Sequence, residues 1–195
     1  MDRNRCRDIL KDHFVLFSVE GTAEAAIINS LIENDALIVP HDHLVSDYTD
    51  ATRYYTRTRK AKDIVDRYFN VNYRSATANG LAIARIVDTS SGKFVLPKSL
   101  KDEAEVLSFY TKPEIEMLVI HREGAFREWE RASRKDRSLR PNVFCKSTLG
   151  IKDVKEDRFL SDYWSDCGKL IHAIKVYSET AHRDRDELML VDLLK

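Results

Sequence analysis

The sequence predicts an α/β protein with a mostly parallel central sheet flanked by helices. Short apolar runs, typical of buried strands, alternate along the chain with longer segments of helical periodicity. A chain that alternates strand and helix forms parallel strands, because each helix carries the chain back to the same edge of the sheet. The length of 195 residues suits one main domain, and the 43% apolar content is enough to fill its core.

The first third of the chain predicts two strands and two helices. Residues 14–19 are rich in Val and Phe and indicate the first strand. Residues 23–34 place apolar side chains at helical spacing, and Thr22 stands where a helix cap is expected. Residues 36–39 are a short apolar run stopped by Pro40, which indicates a second buried strand. A polar loop over 41–52 and a helix over 54–69 are expected to follow.

The middle of the chain predicts two more core strands and a long helix. Residues 81–87 indicate the third strand, and residues 104–110 indicate the fourth. Between them, a turn over 89–92 leads into a short hairpin strand over 93–96. Pro113 opens a helix that is expected to run to about Ser133, since proline is well placed in a first helical turn.

The C-terminal part of the chain is expected to be a small helical appendage. Residues 138–141 break the chain, and the tail from about Phe159 shows a helical pattern. We therefore predict an α/β domain over 1–140 and a helical extension over 141–195 packed on it.

Composition points to a cytoplasmic protein without a membrane partner. Lys plus Arg and Asp plus Glu both number 32, so any nucleic-acid partner must be recognised by a local patch rather than by net charge. Three cysteines, odd in number and far apart, fit free thiols in a reducing compartment. No stretch approaches the roughly 20 apolar residues of a membrane span, and no apolar signal region follows the charged N-terminus.

Acidic residues follow each of the first three predicted strands. Glu20 follows the first, Asp42 the second and Asp88 the third, with His41 and His43 on either side of Asp42. If the strands are parallel, these ends lie at one edge of the sheet, where open α/β sheets place their ligands. Carboxylates there would suit a hard divalent cation such as Mg²⁺ or Mn²⁺. The alternative is that these residues simply begin solvated loops.

The start of the predicted long helix carries further candidates. Glu114 and Glu116 stand in its first turn, where the helix dipole favours carboxylates, so helix capping is the alternative to a functional role. His121 falls on the half-apolar side of the helix near the strand edge. It is a candidate proton donor, and the alternative is a packed, hydrogen-bonded histidine.

Two basic stretches interleave cations with aromatic residues. The combination can hold phosphates and stack bases, although intermixed acidic residues equally fit an ordinary charged helix face. The first stretch includes Tyr54 and Tyr55 and consists of Arg53, Arg57, Arg59, Lys60, Lys62 and Arg67. The second includes Trp129 and consists of Arg127, Arg131, Arg134, Lys135, Arg137 and Arg140.

With these residues in place, the chain resembles the Toprim fold, and in particular the Toprim-like, RloB-type proteins of bacterial defence loci. The resemblance covers roughly residues 13–150 and rests on three segments. They are Val19-Glu20-Gly21-Thr22-x-Glu24 after an apolar strand, Ile86-Val87-Asp88 at the end of the third strand, and the run from Thr111 to His121.

The resemblance implies a nuclease that uses Mg²⁺ or Mn²⁺ on phosphodiesters. Glu20 matches the family's glutamate, a general acid/base or metal ligand, and Asp88 matches the first aspartate of its Asp-x-Asp pair. The sequence departs from the pattern at the second aspartate, where it has Ser90. Residues that could compensate, or supply an additional ligand or proton donor, are Glu24, His41, Asp42, His43, Glu114, Glu116 and His121.

Two functions therefore remain open. One is a metal-dependent nuclease acting on DNA or RNA as an antiphage defence effector, with a regulatory ATPase-type partner protein and homo-oligomer formation among the expectations. The other is a non-catalytic Toprim-like module that binds a partner protein or nucleic acid. A third hypothesis is a small phosphotransfer or hydrolytic enzyme that uses the same carboxyl edge of the sheet.

Overall fold

A five-stranded, all-parallel sheet forms the centre of the computed structural model, which describes residues 2–88, 94–154 and 156–195. The strands lie in the order β2-β1-β3-β4-β5. In chain order they are β1 (Phe14–Val19), β2 (Tyr55–Thr56), β3 (Leu81–Val87), β4 (Ala104–Tyr110) and β5 (Leu188–Met189). The prediction of an α/β protein with a parallel central sheet flanked by helices is confirmed.

Helices and short 3₁₀ turns connect the strands and cover the sheet. The helices are α1 (Arg3–Asp12), α2 (Thr22–Glu33), α3 (Ala61–Tyr68), α4 (Met117–Arg122), α5 (Phe126–Lys135), α6 (Pro141–Ser147), α7 (Asp157–Tyr163) and α8 (Cys167–Thr180). The 3₁₀ turns are His41–His43, Lys98–Leu100 and Leu190–Leu193. Within the described ranges, no helix is long and apolar enough to cross a membrane.

The two faces of the sheet pack against cores of different size. Alternation along β1 sends Phe17 toward the larger core, which most of the helices share, and Leu16 toward the smaller one. The smaller core is closed mainly by α3, through Ile64 and Tyr68. Because α3 is a single short helix, this face is less completely covered, and Ser108 and Tyr110 of β4 remain half-buried there.

The strands β1, β3 and β4 and the helix α2 lie where the sequence predicts them. Each strand is a run of six or seven residues, and β3 is buried along its whole length. Near-continuous burial is expected for a central parallel strand with packing on both faces. The helix α1 was not predicted, although it buries Cys6, Ile9 and Leu10.

Residues 36–39 do not form the second strand of the sheet, and that prediction was wrong. Leu37 makes an isolated antiparallel bridge with Leu194, and the Ile38 N–H donates to the Leu193 carbonyl at 2.8 Å. The run is apolar because it packs under the C-terminal segment. The second strand in the chain is instead β2, two residues long.

Two predicted helices are broken. The helix predicted over 54–69 splits into β2 and α3, so Tyr55 lies in a strand. The long helix predicted from Pro113 begins only at Met117 and ends at Arg122, shortly before Gly124, where φ is +69°. A glycine in this left-handed conformation ends helices because it carries no Cβ. The chain then restarts as α5.

The C-terminal segment contributes to the sheet as well as to the helical layer. Its strand β5 pairs with β4, with Leu188 beside Phe109 and Met189 beside Tyr110. Helix α8 packs against α4. The predicted turn over 89–92 and the first residue of the predicted hairpin strand, Lys93, lie outside the described residues, and 94–96 form no strand.

Candidate functional site

A cavity of about 350 Å³ opens at the carboxyl edge of β1 and β3. Its position agrees with the rule that parallel α/β sheets bind ligands outside the carboxyl ends of their strands. Carboxylates dominate its lining, with two arginines among them. These side chains are Glu20, Glu24, Asp88, Glu114 and Glu116, together with Arg59 and Arg140.

Glu20 and Asp88 meet because β1 and β3 are adjacent parallel strands that end together. Val19 pairs with Ile86, so the next residues leave the sheet side by side. The backbone N–H of Asp88 donates to Glu20 Oε2 at 3.2 Å. The structure thus brings to one cavity the two acidic residues for which the sequence provides the strongest argument.

Glu24 joins them from the first turn of α2. A Cβ placed on Gly21 would lie 3.0 Å from Glu24 Oε2, so the glycine permits a close approach of this carboxylate to the turn. Burial is the main cause that raises the pKa of Glu24, and the charges of Glu116 and Glu20 raise it further. Hydrogen bonds from the Glu24 and Gly21 backbone partly oppose this rise. Glu24 is therefore a carboxyl group that holds a proton more readily than an exposed glutamate.

Glu114 and Glu116 reach the cavity from the loop between β4 and α4. They precede α4 rather than occupying the first turn of a long helix, which corrects the prediction made for them. Glu114 Oε2 lies 3.4 Å from the Asn142 N–H, and its Oε1 lies 3.7 Å from Arg140 Nη1. Glu116 is only 4% exposed, so its carboxylate is held at the inner wall of the cavity.

The donor chemistry of this cavity suits a hard divalent cation, although the ligands are spread out. Five carboxylates supply the oxygen ligands that Mg²⁺ and Mn²⁺ prefer. Within the described residues, no three or more His, Cys, Asp or Glu side chains are grouped closely enough to hold a metal ion.

His41, Asp42 and His43 lie at the opposite edge of the sheet, so their predicted convergence with Glu20 was wrong. They form a 3₁₀ turn whose next residue, Leu44, bridges to Val15 near the start of β1. The His43 ring packs against Phe14 at 5.2 Å, and His41 packs against Tyr54. The error follows from residues 36–39, which do not run parallel to β1 and so do not deliver Asp42 to the carboxyl edge.

His121 also lies away from the carboxylates, in a second, mostly apolar cavity of about 350 Å³. Its ring stacks on Phe126 at 4.6 Å, and its Nε2 lies 3.2 Å from Thr180 Oγ1. Burial lowers the pKa of His121 to about 4. The imidazole is therefore neutral at physiological pH, as the alternative of a packed histidine implies.

We expect the folded protein to lose stability as the pH falls from about 6.5 toward 4, with His121 as one cause. The unfolded histidine titrates near 6.5, so in this window the unfolded chain binds a proton that the folded chain does not. His121→Gln should flatten this part of the stability profile while leaving phosphodiester cleavage unchanged. Chemical denaturation at pH 4.5 and 7.5 measures the first effect as a difference in the free energy of unfolding. The same difference in the variant and the wild type would contradict a role of His121 in this pH dependence.

The first basic stretch is divided between structural and exposed positions. Arg53 Nη2 lies 2.7 Å from Asp47 Oδ1, and its guanidinium lies over the Tyr55 ring. Arg67 donates to Thr58 Oγ1 at 2.7 Å. Arg59 lines the carboxylate cavity. The remaining cations of the stretch, Arg57, Lys60 and Lys62, are exposed.

The aromatic residue of the second basic stretch is unavailable for base stacking. Trp129 is 7% exposed and packs edge-on against Phe144 at 5.5 Å. Arg140 is the member of this stretch that lines the cavity, and its side chain is largely exposed. The stretch therefore contributes charge rather than a stacking surface.

Arg85 is a notable site residue that the sequence reasoning missed. It lies inside β3 and is 8% exposed, with its guanidinium over the Phe94 ring at 4.7 Å. The signal was present in the sequence, since one arginine interrupts an otherwise apolar strand, Leu-Ala-Ile-Ala-Arg-Ile-Val. A buried cation in the centre of a sheet requires a physical explanation.

Comparisons of the chain with models of protein families, with curated proteins and with solved structures found no match.

Proposed function

We propose that this protein is a Toprim-type, metal-dependent nuclease that hydrolyses phosphodiester bonds of DNA or RNA with Mg²⁺ or Mn²⁺, as an antiphage defence effector. The observation that carries the proposal is the meeting of Glu20 and Asp88 at the carboxyl edge of adjacent parallel strands. These are the two positions at which the sequence resembles the Toprim glutamate and first aspartate. Glu24, Glu114 and Glu116 share their cavity.

The carboxylates would hold the cation, and in our proposal Glu20 and Asp88 are its first ligands. A bound divalent cation polarises a phosphate and promotes formation of hydroxide from water. Glu114 and Glu116 in the same cavity offer compensation for the serine at position 90. Burial is the main cause of the raised pKa of Glu24, and the charges of Glu116 and Glu20 raise it further, so a bound cation would relieve part of this repulsion.

The chain's own groups supply the remaining roles. Glu20 accepts a proton from the attacking water. Glu24 donates a proton to the leaving oxygen, because burial, Glu116 and Glu20 favour its protonated form. Glu24 replaces His121 in this role, since the histidine lines a different cavity. Arg59 and Arg140, which line the cavity, would hold the phosphates on either side of the bond that is cleaved.

The same proposal includes the partners and location of the protein. Nucleic acid would approach along the exposed cations Arg57, Lys60 and Lys62, next to Arg59. The three cysteines are free and buried, which fits a reducing cytoplasm. A regulatory ATPase-type partner and a homo-oligomer belong to the proposal through the Toprim resemblance.

Metal-dependent cleavage by the purified protein tests this function. End-labelled single-stranded and double-stranded DNA and RNA are incubated with the protein and Mn²⁺ or Mg²⁺, with EDTA as the control. We expect cleavage of at least one substrate class with metal and none with EDTA. The absence of metal-stimulated cleavage on all four substrates would contradict the proposal.

A second candidate is a non-catalytic Toprim-like module that binds nucleic acid or a partner protein. Two observations favour it: the serine at position 90, and the hydrogen bond by which Glu20 ties the end of β1 to the backbone of Asp88. It predicts a stable complex with DNA or RNA that is unaffected by EDTA. Gel-shift titration beside the cleavage assay separates the two functions.

A further inference from the structure

A polar row crosses the smaller face of the sheet near its carboxyl edge. Register pairs Thr56 with Ser18, Ser18 with Arg85 and Arg85 with Ser108, so four neighbouring strands contribute one residue each. Paired residues of parallel strands point to the same face. This row lies close to Glu20, which follows Ser18 by two residues and whose charge acts on Arg85.

Arg85 is the centre of this row, and its guanidinium lies over the Phe94 ring at 4.7 Å rather than beside a carboxylate. Burial is the main influence on its pKa and lowers it, while the Glu20 charge raises it. Within the described residues, no carboxylate forms an ion pair with Arg85. A buried charge without an ion pair is costly, so the site favours an external anion.

The hydrogen-bonding capacity of Arg85 is largely unused. A guanidinium has five N–H donors. In the described part of the chain its one hydrogen bond runs from Nη1 to Ser108 Oγ, at a long 3.3 Å. Its other nitrogens are not among the fully enclosed, unpartnered polar atoms of the described residues, although the residue as a whole is only 8% exposed. Ser108 and Tyr110 beside it are only half-buried, which leaves an approach on the β4 side.

Hydroxyl groups flank Arg85, and a second cation lies near Ser18. Ser18 Oγ donates to the Thr58 carbonyl at 2.8 Å, and Arg67 reaches the same corner through Thr58 Oγ1. Hydroxyls and a planar guanidinium are the groups that proteins use to bind tetrahedral oxyanions. The Ser18 proton is already donated to Thr58, whereas the Ser108 hydroxyl accepts from Arg85 and donates to none of the described residues. The row therefore combines a planar guanidinium with the Ser108 hydroxyl as an available donor.

We propose that Arg85, flanked by Ser18 and Ser108, forms an oxyanion site that binds a phosphate group. The site adjoins the carboxylate cavity, so in the proposed nuclease it would hold a phosphate next to the one that is attacked. Binding itself does not depend on cleavage. Two sources share this chemistry, the phosphate of a nucleic-acid strand and a free phosphate or mononucleotide.

The test measures binding of inorganic phosphate to the full chain in EDTA, by isothermal titration and by the shift of the melting temperature. Sodium chloride at the same ionic strength is the control. We expect saturable binding by the wild type, and at least about tenfold weaker binding by Arg85→Gln, since a hydrogen bond to a charged group contributes ~1.5–3 kcal/mol. Arg158→Gln, an exposed arginine on α7, is the matched control and should bind as the wild type does.

Arg85→Lys is the second variant, and it keeps the test valid if Arg85→Gln does not fold. It keeps the charge and the apolar stem but not the bidentate fork, so weaker binding by a folded lysine variant supports the site. A 5′-phosphorylated oligonucleotide compared with its unphosphorylated twin distinguishes the two sources. Phosphate that acts no differently from chloride, or equal binding by the wild type and both variants, would overturn the inference. Because no cleavage is measured, this result is independent of the nuclease assay.

Discussion

Replacing Glu20 with glutamine is expected to abolish phosphodiester cleavage while leaving the fold intact. The amide oxygen of glutamine can still accept the hydrogen bond from the Asp88 N–H, so the join between β1 and β3 is kept. The variant loses the negative charge and the basicity that the proposed mechanism needs. A loss of about 10²–10⁴-fold in rate is typical when a general acid or base is removed. Initial cleavage rates with Mn²⁺ measure it.

Glu33→Gln is the matched control for this experiment. Glu33 is an exposed glutamate at the end of α2, so it undergoes the same chemical change outside the cavity. The control should cleave at the wild-type rate, and circular dichroism should be the same for all three proteins. A Glu20→Gln protein that cleaves as fast as the control would exclude Glu20 from the chemistry.

Truncating Leu190 to alanine is expected to be the most destabilising of the substitutions considered. Leu190 is fully buried in the C-terminal 3₁₀ turn, which packs against α8 and α1 and follows β5 directly. Leucine-to-alanine changes in such positions cost about 2–5 kcal/mol, through lost burial and the cavity left behind. A loss of this size is a large share of the total stability of an ordinary domain. Urea denaturation monitored by fluorescence measures it.

Lys195→Ala provides the comparison for the C-terminal segment. Lys195 forms an exposed ion pair with Asp35, with side chains 51% and 77% exposed, and such pairs contribute about 0–1 kcal/mol. The substitution should therefore have little effect on the urea midpoint. Equal, small effects of both substitutions would show that the C-terminal segment does not stabilise the α/β core.

The parts of the fold that could be predicted are those with long, uninterrupted patterns. The strands β1, β3 and β4 each extend over six or seven residues, and α2 carries apolar side chains over three turns. The strands β2 and β5 contain two residues each, which is too short for any period to be read. They exist because tertiary packing brings them to the edges of the sheet.

Residues 36–39 show why an apolar run does not identify its own partner. The run is buried as predicted, but it pairs with the C-terminal segment rather than with the sheet. The sequence pattern indicates that a segment is buried. It does not indicate which element covers the segment, because that depends on distant residues such as Leu193 and Leu194. This single error displaced the expected positions of His41, Asp42 and His43.

The candidate site could be predicted where it depends on strand ends. Glu20 and Asp88 directly follow two long strands, so their meeting follows from the parallel arrangement alone. The contributions of Glu114 and Glu116 were anticipated as residue types, but the loop that carries them into the cavity depends on where α4 begins. Arg85 was missed because one polar residue scarcely changes the mean hydropathy of an apolar strand.

Binding of Mn²⁺ to the apoprotein is the most direct test of the central claim, that the carboxylates at this sheet edge hold a divalent cation. Electron paramagnetic resonance of free Mn²⁺ during a titration gives the number and affinity of bound ions without any substrate. We predict saturable binding by the wild type and by Glu33→Gln, and strongly weakened binding by Glu20→Gln and Asp88→Asn. No bound Mn²⁺ in the wild type, or undiminished binding in both cavity variants, would contradict the claim.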